Sequence, residues 1–438
     1  MSPKILLCAS TAAIALGVAA PAFAKDGDLV VGQVNVFTKQ VGKTDFNWTS
    51  ASSLNIVTGA IGNTASLDLA AGTSGEIAAF QLNGAKQEAT TSTIGGISVG
   101  DALVQTQAVG NNLSAPGAGT LESVKALQVN IGGHQYATAS LGGLGTNQAE
   151  VDTAAVGNNI SLKAQQIEIE SRHDGMAQIN LFATQKAKTT MGGTFSNGDL
   201  TVNTQAIGNN ISLTATKRNG DVNVDGKILQ ANVLSSQSAT FSLADTQRNG
   251  GNLAVNTVAV GNVLNASALA GDITLDKGAK QLNLGSMQTA SSTLTPWSTG
   301  VHGPGSQVKG KMNVTTAAVG NTISLATDSG WIGNDDHGRS ALTQVNAVSK
   351  QDASTSVRGV TSIGDATIAT QAIGNSVSLT GANIDRSPIS QINIASTQNA
   401  YTVLGGNAGA GGAAPRSFGS TVTVSTVAVG NVANVTVK

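Results

Sequence analysis

The chain has 438 residues, of which only 11% are charged and 3% aromatic, with 53 glycines and 7 prolines. Because globular domains carry about 25% charged residues, this composition argues against an ordinary domain covered by charged helices. A hydrophobic fraction of 40% and a net charge of −1 argue against intrinsic disorder, and the small number of basic residues argues against nucleic-acid binding.

A signal peptide is predicted at the start of the chain, with cleavage after Ala24. A basic beginning is followed by an apolar stretch over residues 5–20 and by small residues at 22–24, the pattern that a signal peptidase recognises. The single cysteine, Cys8, lies inside this segment. We therefore expect an exported mature chain, residues 25–438, that forms one domain without disulfides.

One motif ends in a Gly-Asn dipeptide and occurs eight times. In every copy, Ala stands two, Thr four, and Val or Ile six residues before the glycine, as in Val202, Thr204 and Ala206 before Gly208. This alternation predicts a β-strand with small side chains on one face. We expect a corner where Ala is followed by Val or Ile, with each dipeptide supplying a turn that tolerates positive φ. The dipeptides are Gly62-Asn63, Gly110-Asn111, Gly157-Asn158, Gly208-Asn209, Gly261-Asn262, Gly320-Asn321, Gly374-Asn375 and Gly430-Asn431.

A second motif, Gln-x-Asn, alternates with the first. Another glutamine follows the asparagine by five residues in seven copies and by four at Gln87. Stacked repeats would allow these amides to form hydrogen-bonded ladders that also template polymerisation; alternatively, they are local turn and strand-edge residues. The pairs are Gln33 and Asn35, Gln81 and Asn83, Gln128 and Asn130, Gln178 and Asn180, Gln230 and Asn232, Gln281 and Asn283, Gln344 and Asn346, and Gln391 and Asn393.

The two motifs together define a repeat of 47 to 63 residues, a length typical of solenoids, propellers and arrays. Small inward side chains favour a β-solenoid, whereas a propeller would need periodic aromatic residues. The tryptophans instead occupy unrelated positions in the repeat: Trp48, Trp297 and Trp331. The prediction is an all-β protein, a β-solenoid (β-helix) of eight double-coil repeats, whose sixteen coils at about 4.8 Å would span roughly 75 Å.

Loop insertions are predicted near residues 291–311, 327–341 and 405–419. Trp297 and Trp331 are possible partner contacts in the first two of these loops. No catalytic residue, metal site or cofactor is predicted. The densest ionisable cluster is interpreted as a solvated loop rather than a carbohydrate or cation site; it contains Asp335, Asp336 and His337.

The Gly-Asn units, the alternating Gln and Asn positions and the low charge resemble the curlin-type repeats of bacterial secreted amyloids. In size and repeat pairing, the chain is most similar to the D component of the alphaproteobacterial holdfast-anchor proteins. The match is not literal, since Gln135 follows Asn130 by five residues where the curlin pattern has six. The resemblance implies a cell-surface, outer-membrane-associated protein that passes through a curli-type secretion lipoprotein. It also implies that the protein attaches an adhesive polysaccharide holdfast to the envelope and takes part in cell adhesion and biofilm.

The sequence therefore predicts a structural or anchoring protein rather than an enzyme. Open strand edges at both ends of the stack are expected to pair with other copies of the chain or with related curlin-like subunits. Two alternatives remain: a polysaccharide-active β-helix enzyme, which would need converging carboxylates, and a general surface adhesin.

Overall fold

The computed structural model describes residues 29–169, 175–192, 195–196, 198–244, 248–295, 307–333, 342–358, 360–362, 364–385, 387–405 and 421–438. The predicted signal peptide, Trp297 and the cluster at residues 335–337 lie outside these ranges. Within them, no helix is long and apolar enough to cross a membrane.

The described residues form β-strands joined by short connections, which confirms the all-β prediction. The strands are β1 (Leu29–Ser66), β2 (Ser74–Ala115), β3 (Thr120–Ile131), β4 (His134–Gly142), β5 (Leu144–Ala164), β6 (Gln166–Ile169), β7 (Gly175–Leu181), β8 (Thr184–Gly192), β9 (Phe195–Ser196), β10 (Leu200–Ala215), β11 (Val222–Val224), β12 (Lys227–Val233), β13 (Ser236–Ala244), β14 (Arg248–Asn249), β15 (Leu253–Ala268), β16 (Ile273–Leu275), β17 (Ala279–Leu284), β18 (Met287–Thr295), β19 (Gln307–Val308), β20 (Met312–Thr327), β21 (Trp331–Gly333), β22 (Leu342–Ala347), β23 (Lys350–Arg358), β24 (Thr361–Ser362), β25 (Ala366–Gly381), β26 (Asn383–Ile384), β27 (Ile389–Ile394), β28 (Thr397–Gly405) and β29 (Val422–Val437).

Each repeat contributes one rung, and every rung pairs in parallel with the corresponding strands of the next repeat. In the fourth and fifth rungs, for example, β10 pairs with β15 and β7 pairs with β12. The prediction of two coils per repeat is therefore wrong, because the two halves of one repeat lie side by side in the same rung. Eight rungs at about 4.8 Å give a stack of roughly 35 Å instead of 75 Å.

The inner face of each rung carries the alternating small and apolar residues of the Gly-Asn motif. In β10, Val202, Thr204 and Ala206 are fully buried, whereas Asn203 and Gln205 point outward and are half-buried. Corresponding alanines from the first seven repeats, together with those of the strands opposite, form one continuous cluster through the stack. Alanine at these positions lets facing strands approach closely, while larger aliphatic residues fill the interior on either side.

The Gly-Asn dipeptides lie inside continuous strands rather than in turns. The alternation of buried and half-buried residues runs undisturbed through Ala206 and Ile207 and changes phase between Gly208 and Asn209, where both residues are buried. The corner is thus two residues later than predicted. The tolerance of glycine for positive φ is not used either, because none of the eight motif glycines is among the described glycines with positive φ.

Glycine is required in the Gly-Asn motif because the neighbouring atoms leave no space for a side chain. A Cβ atom on Gly208 would lie 2.5 Å from the carbonyl oxygen of Gly261 in the next rung and 2.6 Å from Oδ1 of Asn232. Equivalent close contacts occur at Gly157, Gly261 and Gly374. Only glycine fits between the backbone of the following rung and the amide of the Gln-x-Asn motif.

The sharp corner of each rung follows the Gln-x-Asn motif, at the second residue after the asparagine. That residue has positive φ in seven repeats, although it is glycine in only two; the seven are Phe37, Gly132, Phe182, Leu234, Gly285, Val348 and Ala395. In the second repeat the next glutamine, Gln87, comes one residue earlier, and β2 continues without a positive-φ residue. The corner therefore needs the five-residue spacing and is built in most repeats at some conformational strain.

Replacing Val348 with glycine is expected to stabilise the protein by about 0.5–1 kcal/mol. Val348 has φ of 51° and its side chain is 65% exposed, so glycine removes left-handed strain of about 1–2 kcal/mol and loses little burial. The greater flexibility of glycine in the unfolded chain offsets part of this gain. Urea unfolding would measure the change. The matched control is Val348→Ala, which keeps a Cβ atom; an equal effect of both substitutions would contradict the strain argument.

The predicted insertions are only partly described. Residues 291–295 belong to β18 and residue 327 ends β20. Trp331 lies in the short strand β21, and its backbone N–H donates to Oδ1 of Asp272 at 2.7 Å. Residues 296–306, 334–341 and 406–420 lie outside the described ranges, as does Trp297 within the first of them.

Candidate functional site: the interior side-chain ladders

The first glutamines of the Gln-x-Asn motifs stack into one hydrogen-bonded column. Each Nε2 donates to Oε1 of the glutamine in the preceding rung, and also to a backbone carbonyl across the interior, as Gln178 does to the carbonyl of Asn210 at 2.8 Å. Both amide hydrogens are thus used. The column joins Gln33, Gln81, Gln128, Gln178, Gln230, Gln281, Gln344 and Gln391, with Nε2 to Oε1 distances of 2.7 to 2.9 Å.

The second glutamines form a parallel column with the same direction of donation. Gln185 is fully buried, donates to Gln135 at 2.8 Å and accepts from Gln237 at 2.8 Å. The spacing of these residues is visible in the sequence, but their place in a ladder depends on the stacking of the rungs. The column contains Gln40, Gln87, Gln135, Gln185, Gln237, Gln288, Gln351 and Gln398.

The asparagines of the Gly-Asn motif form a third column, in which donation runs in the opposite direction. Nδ2 of Asn209 donates forward to Oδ1 of Asn262 at 2.8 Å and across the interior to the carbonyl of Ala231 in the next rung at 3.0 Å. The column joins Asn63, Asn111, Asn158, Asn209, Asn262, Asn321, Asn375 and Asn431, with Nδ2 to Oδ1 distances of 2.7 to 2.9 Å.

The asparagines of the Gln-x-Asn motif connect the amide columns. Nδ2 of Asn180 donates at 3.0 Å both to Asn209 in its own rung and to Asn232 in the next. In two other rungs, the equivalent asparagines Asn130 and Asn346 donate instead to the second glutamine. Both halves of the repeat are therefore tied together by buried amides, which makes the polar interior one network.

Hydroxyl groups form further hydrogen bonds that alternate between the two halves of the repeat. Thr189 on β8 donates to Thr153 at 2.8 Å and lies 2.7 Å from Thr204 in its own rung. Thr204 belongs to the invariant threonines of the Gly-Asn motif, whereas Thr189 follows the second glutamine by four residues in a Gln-x-Ala-x-Thr pattern. With Thr or Ser at its last position, this pattern occurs in five of the eight repeats and is the sequence signal for this part of the site.

All predicted motif residues are described and lie along these columns. Among buried side-chain nitrogen and oxygen atoms of the described residues, only Nδ2 of Asn35 in the first rung has no hydrogen-bond partner. Because an unpaired buried amide group costs about 1–3 kcal/mol, near-complete pairing explains why amides and hydroxyls recur at these positions. The glycines contribute by leaving room for the amides, not by making turns.

The charged residues of the first two repeats lie on the outside. Glu88 pairs with Lys39 at 2.6 Å and also with Lys86, and its hydrogen bonds to these two lysines lower the pKa of its carboxyl group. Hydrogen bonds from Lys43 and Ser92 similarly lower the pKa of Asp45. Exposed pairs of this kind contribute about 0–1 kcal/mol, so they are secondary to the interior ladders. Within the described ranges, no group of three or more His, Cys, Asp or Glu residues could hold a metal ion.

The chain matches a known protein family. The family model of holdfast attachment protein D matches residues 8–232, just over half of the chain. The matched region contains the first four repeats and the Gln-x-Asn motif of the fifth. No curated protein and no solved structure matches the chain.

Proposed function

Since the chain belongs to the holdfast attachment protein D family, we propose that it is an exported structural protein that attaches an adhesive polysaccharide holdfast to the cell envelope. The family match is the observation that carries this proposal. It associates the protein with the cell surface and favours a structural role over catalysis.

The stack of parallel rungs is, in this proposal, a β-solenoid with one coil per repeat in a single domain of residues 25–438. Parallel pairing at a constant offset of one repeat supports it, as do the amide columns running along the stack. Such a solenoid would be a rigid spacer, because each rung is fixed to its neighbours by backbone and side-chain hydrogen bonds.

Export would follow cleavage after Ala24, with passage through a curli-type secretion lipoprotein. On the surface, the protein would form curlin-like polymers with itself or with related subunits. Among the described residues, the outer edges of β1 and of β27, β28 and β29 pair with no strand. This supports polymerisation, because unpaired parallel strands are templates for further pairing. The adhesive polysaccharide would be the ligand of the assembled protein.

A shear assay tests the attachment role. In a holdfast-producing strain that lacks this protein, holdfast polysaccharide labelled with a lectin should be shed into the medium under flow, and restoring the full chain should return it to the cells. Retention that does not depend on the protein would contradict the proposal. The size of the released polysaccharide discriminates against the enzyme alternative, since an attachment protein changes where the polymer is found and leaves its length unchanged.

The cluster at residues 335–337 provides a variant for the same assay. Triple replacement of Asp335, Asp336 and His337 by alanine should leave holdfast retention unchanged if the protein is structural. A change in polysaccharide length in that variant would support the enzyme alternative instead.

A further inference from the structure

The last rung leaves an open end. Its strands β27, β28 and β29 pair on one side with β22, β23 and β25, and no strand of the described residues pairs with their other side. Val424 and Val435 are 43% and 53% exposed, whereas Val202 and Leu213 at the same positions of the fourth rung are fully buried. The end is thus a cross-section of the apolar interior, which is costly to leave in water.

The hydrogen-bond polarity of the columns distinguishes the two ends of the stack. In the first glutamine column, Nε2 donates toward the preceding rung, as Gln391 does to Gln344. At the last rung, Oε1 of Gln391 therefore faces outward, because no further glutamine follows to donate to it. Asparagine donation runs forward, and Nδ2 of Asn431 therefore has no following asparagine as acceptor. The last rung consequently presents a glutamine acceptor beside an asparagine donor.

The first rung presents the complementary groups. Nε2 of Gln33 donates one hydrogen to the carbonyl of Thr64, and its second hydrogen has no preceding glutamine to receive it. Oδ1 of Asn63 likewise has no preceding asparagine as donor, because Asn63 itself donates forward to Asn111. The apolar positions also correspond, since Ile56 occupies in β1 the place that Val424 occupies in β29.

We propose that the open end formed by β27, β28 and β29 binds β1 of a second copy of this chain, head to tail and in register. This inference rests on the polymer-forming part of the proposed function and specifies its partner. Nε2 of Gln33 in the second copy donates to Oε1 of Gln391, and Nδ2 of Asn431 donates to Oδ1 of Asn63 in the second copy. Two identical ends would meet with their strands antiparallel, whereas neighbouring rungs pair in parallel, so continuing the columns in register requires a head-to-tail contact.

Gly430 makes this register testable. In the interior, the carbonyl of the following motif glycine lies 2.5 Å from a Cβ atom placed on Gly208, but the nearest atom to a Cβ on Gly430 is Nδ2 of Asn393 at 3.0 Å. In the proposed interface, the carbonyl of Gly62 of the second copy takes the missing position. The Gly430→Ala substitution is therefore tolerated in the monomer, but its methyl group obstructs the binding of a second copy.

The experiment compares the purified exported chain with Gly430→Ala and with the control Gly405→Ala. Gly405 lies in the same last rung, has nothing within 4 Å of its Cβ position, and matches Arg358 in the rung before. Sedimentation velocity and electron microscopy would follow assembly, while circular dichroism and thermal unfolding check the fold. We expect linear polymers for the natural chain and for Gly405→Ala. The critical concentration of Gly430→Ala should rise at least tenfold, which corresponds to about 1.4 kcal/mol.

A second variant tests the same interface in case Gly430→Ala does not fold. Val435→Asp places a charge on a residue that is half exposed in the separate molecule but buried in the proposed interface, and it should raise the critical concentration similarly. Normal polymerisation of both folded variants would overturn the head-to-tail register while leaving polymerisation intact. A natural chain that stays monomeric at all concentrations would overturn the inference and the polymer proposal, whereas the shear assay tests attachment separately.

Discussion

Replacing Gly208 with alanine should lower the free energy of unfolding by about 3 kcal/mol, the upper end of the range for an overpacked interior. The new methyl group would lie 2.5 Å from the carbonyl of Gly261 and 2.6 Å from the Asn232 amide. Neither neighbour can move freely, since the first is backbone in a parallel ladder and the second bridges two asparagine columns. Relief of the clash must therefore separate two rungs or break amide hydrogen bonds.

The matched control is the same substitution at the same motif position in the last repeat. Gly430→Ala encounters no following rung, so we expect its unfolding free energy to stay within about 1 kcal/mol of the natural chain. Urea unfolding of dilute, monomeric protein followed by circular dichroism measures both variants. Equal destabilisation would mean that the glycine is required by its own backbone conformation rather than by the next rung.

Replacing Asn209 with aspartate should destabilise the protein by about 4 kcal/mol at pH 7. The substitution keeps the shape of the side chain but removes the two donors that serve the Ala231 carbonyl and Asn262 Oδ1. At this fully buried position, one carboxylate oxygen would keep the donors Asn158 and Asn180, but the oxygen that replaces Nδ2 would face the two acceptors. Burial and these facing acceptors raise the pKa of the carboxyl group, so the folded state would bind a proton that the unfolded state releases.

The sign of the resulting pH dependence follows from that raised pKa. Below about pH 4, the carboxyl group is protonated in both states, and only the lost hydrogen bond of about 1 kcal/mol remains. As the pH rises above the unfolded pKa, stability falls by up to about 1.4 kcal/mol per pH unit until the folded pKa is reached. Urea unfolding of Asn209→Asp between pH 3.5 and 7 measures this slope relative to the natural chain.

Asn265→Asp provides the control for added charge alone. Asn265 is exposed on β15, so its substitution should change stability by less than about 0.5 kcal/mol at every pH. If Asn209→Asp showed the same flat profile as the control, the buried asparagine column would not contribute to stability as described.

The repeat, the strands and the inner face follow from the amino-acid sequence alone. Period-two spacing of Val202, Thr204 and Ala206 is enough to predict a strand with one small-residue face, because side chains of a strand alternate by geometry. Recurrence of Gln178 and Asn180 at the same place in every repeat predicts either stacked amides or local turn and strand-edge residues, and the contacts between rungs distinguish the two. These features depend on neighbouring residues along the chain, which a sequence displays directly.

The tertiary structure decided how many rungs each repeat makes and why the glycines are there. The closure of a rung depends on its corners, and the positive φ of Phe182 or Val348 has no compositional signal because most of these residues are not glycine. The need for Gly208 arises from Gly261, 53 residues later along the chain. The corner is a backbone conformation that closes a rung, whereas the need for glycine comes from the small space left when one repeat is laid on the next.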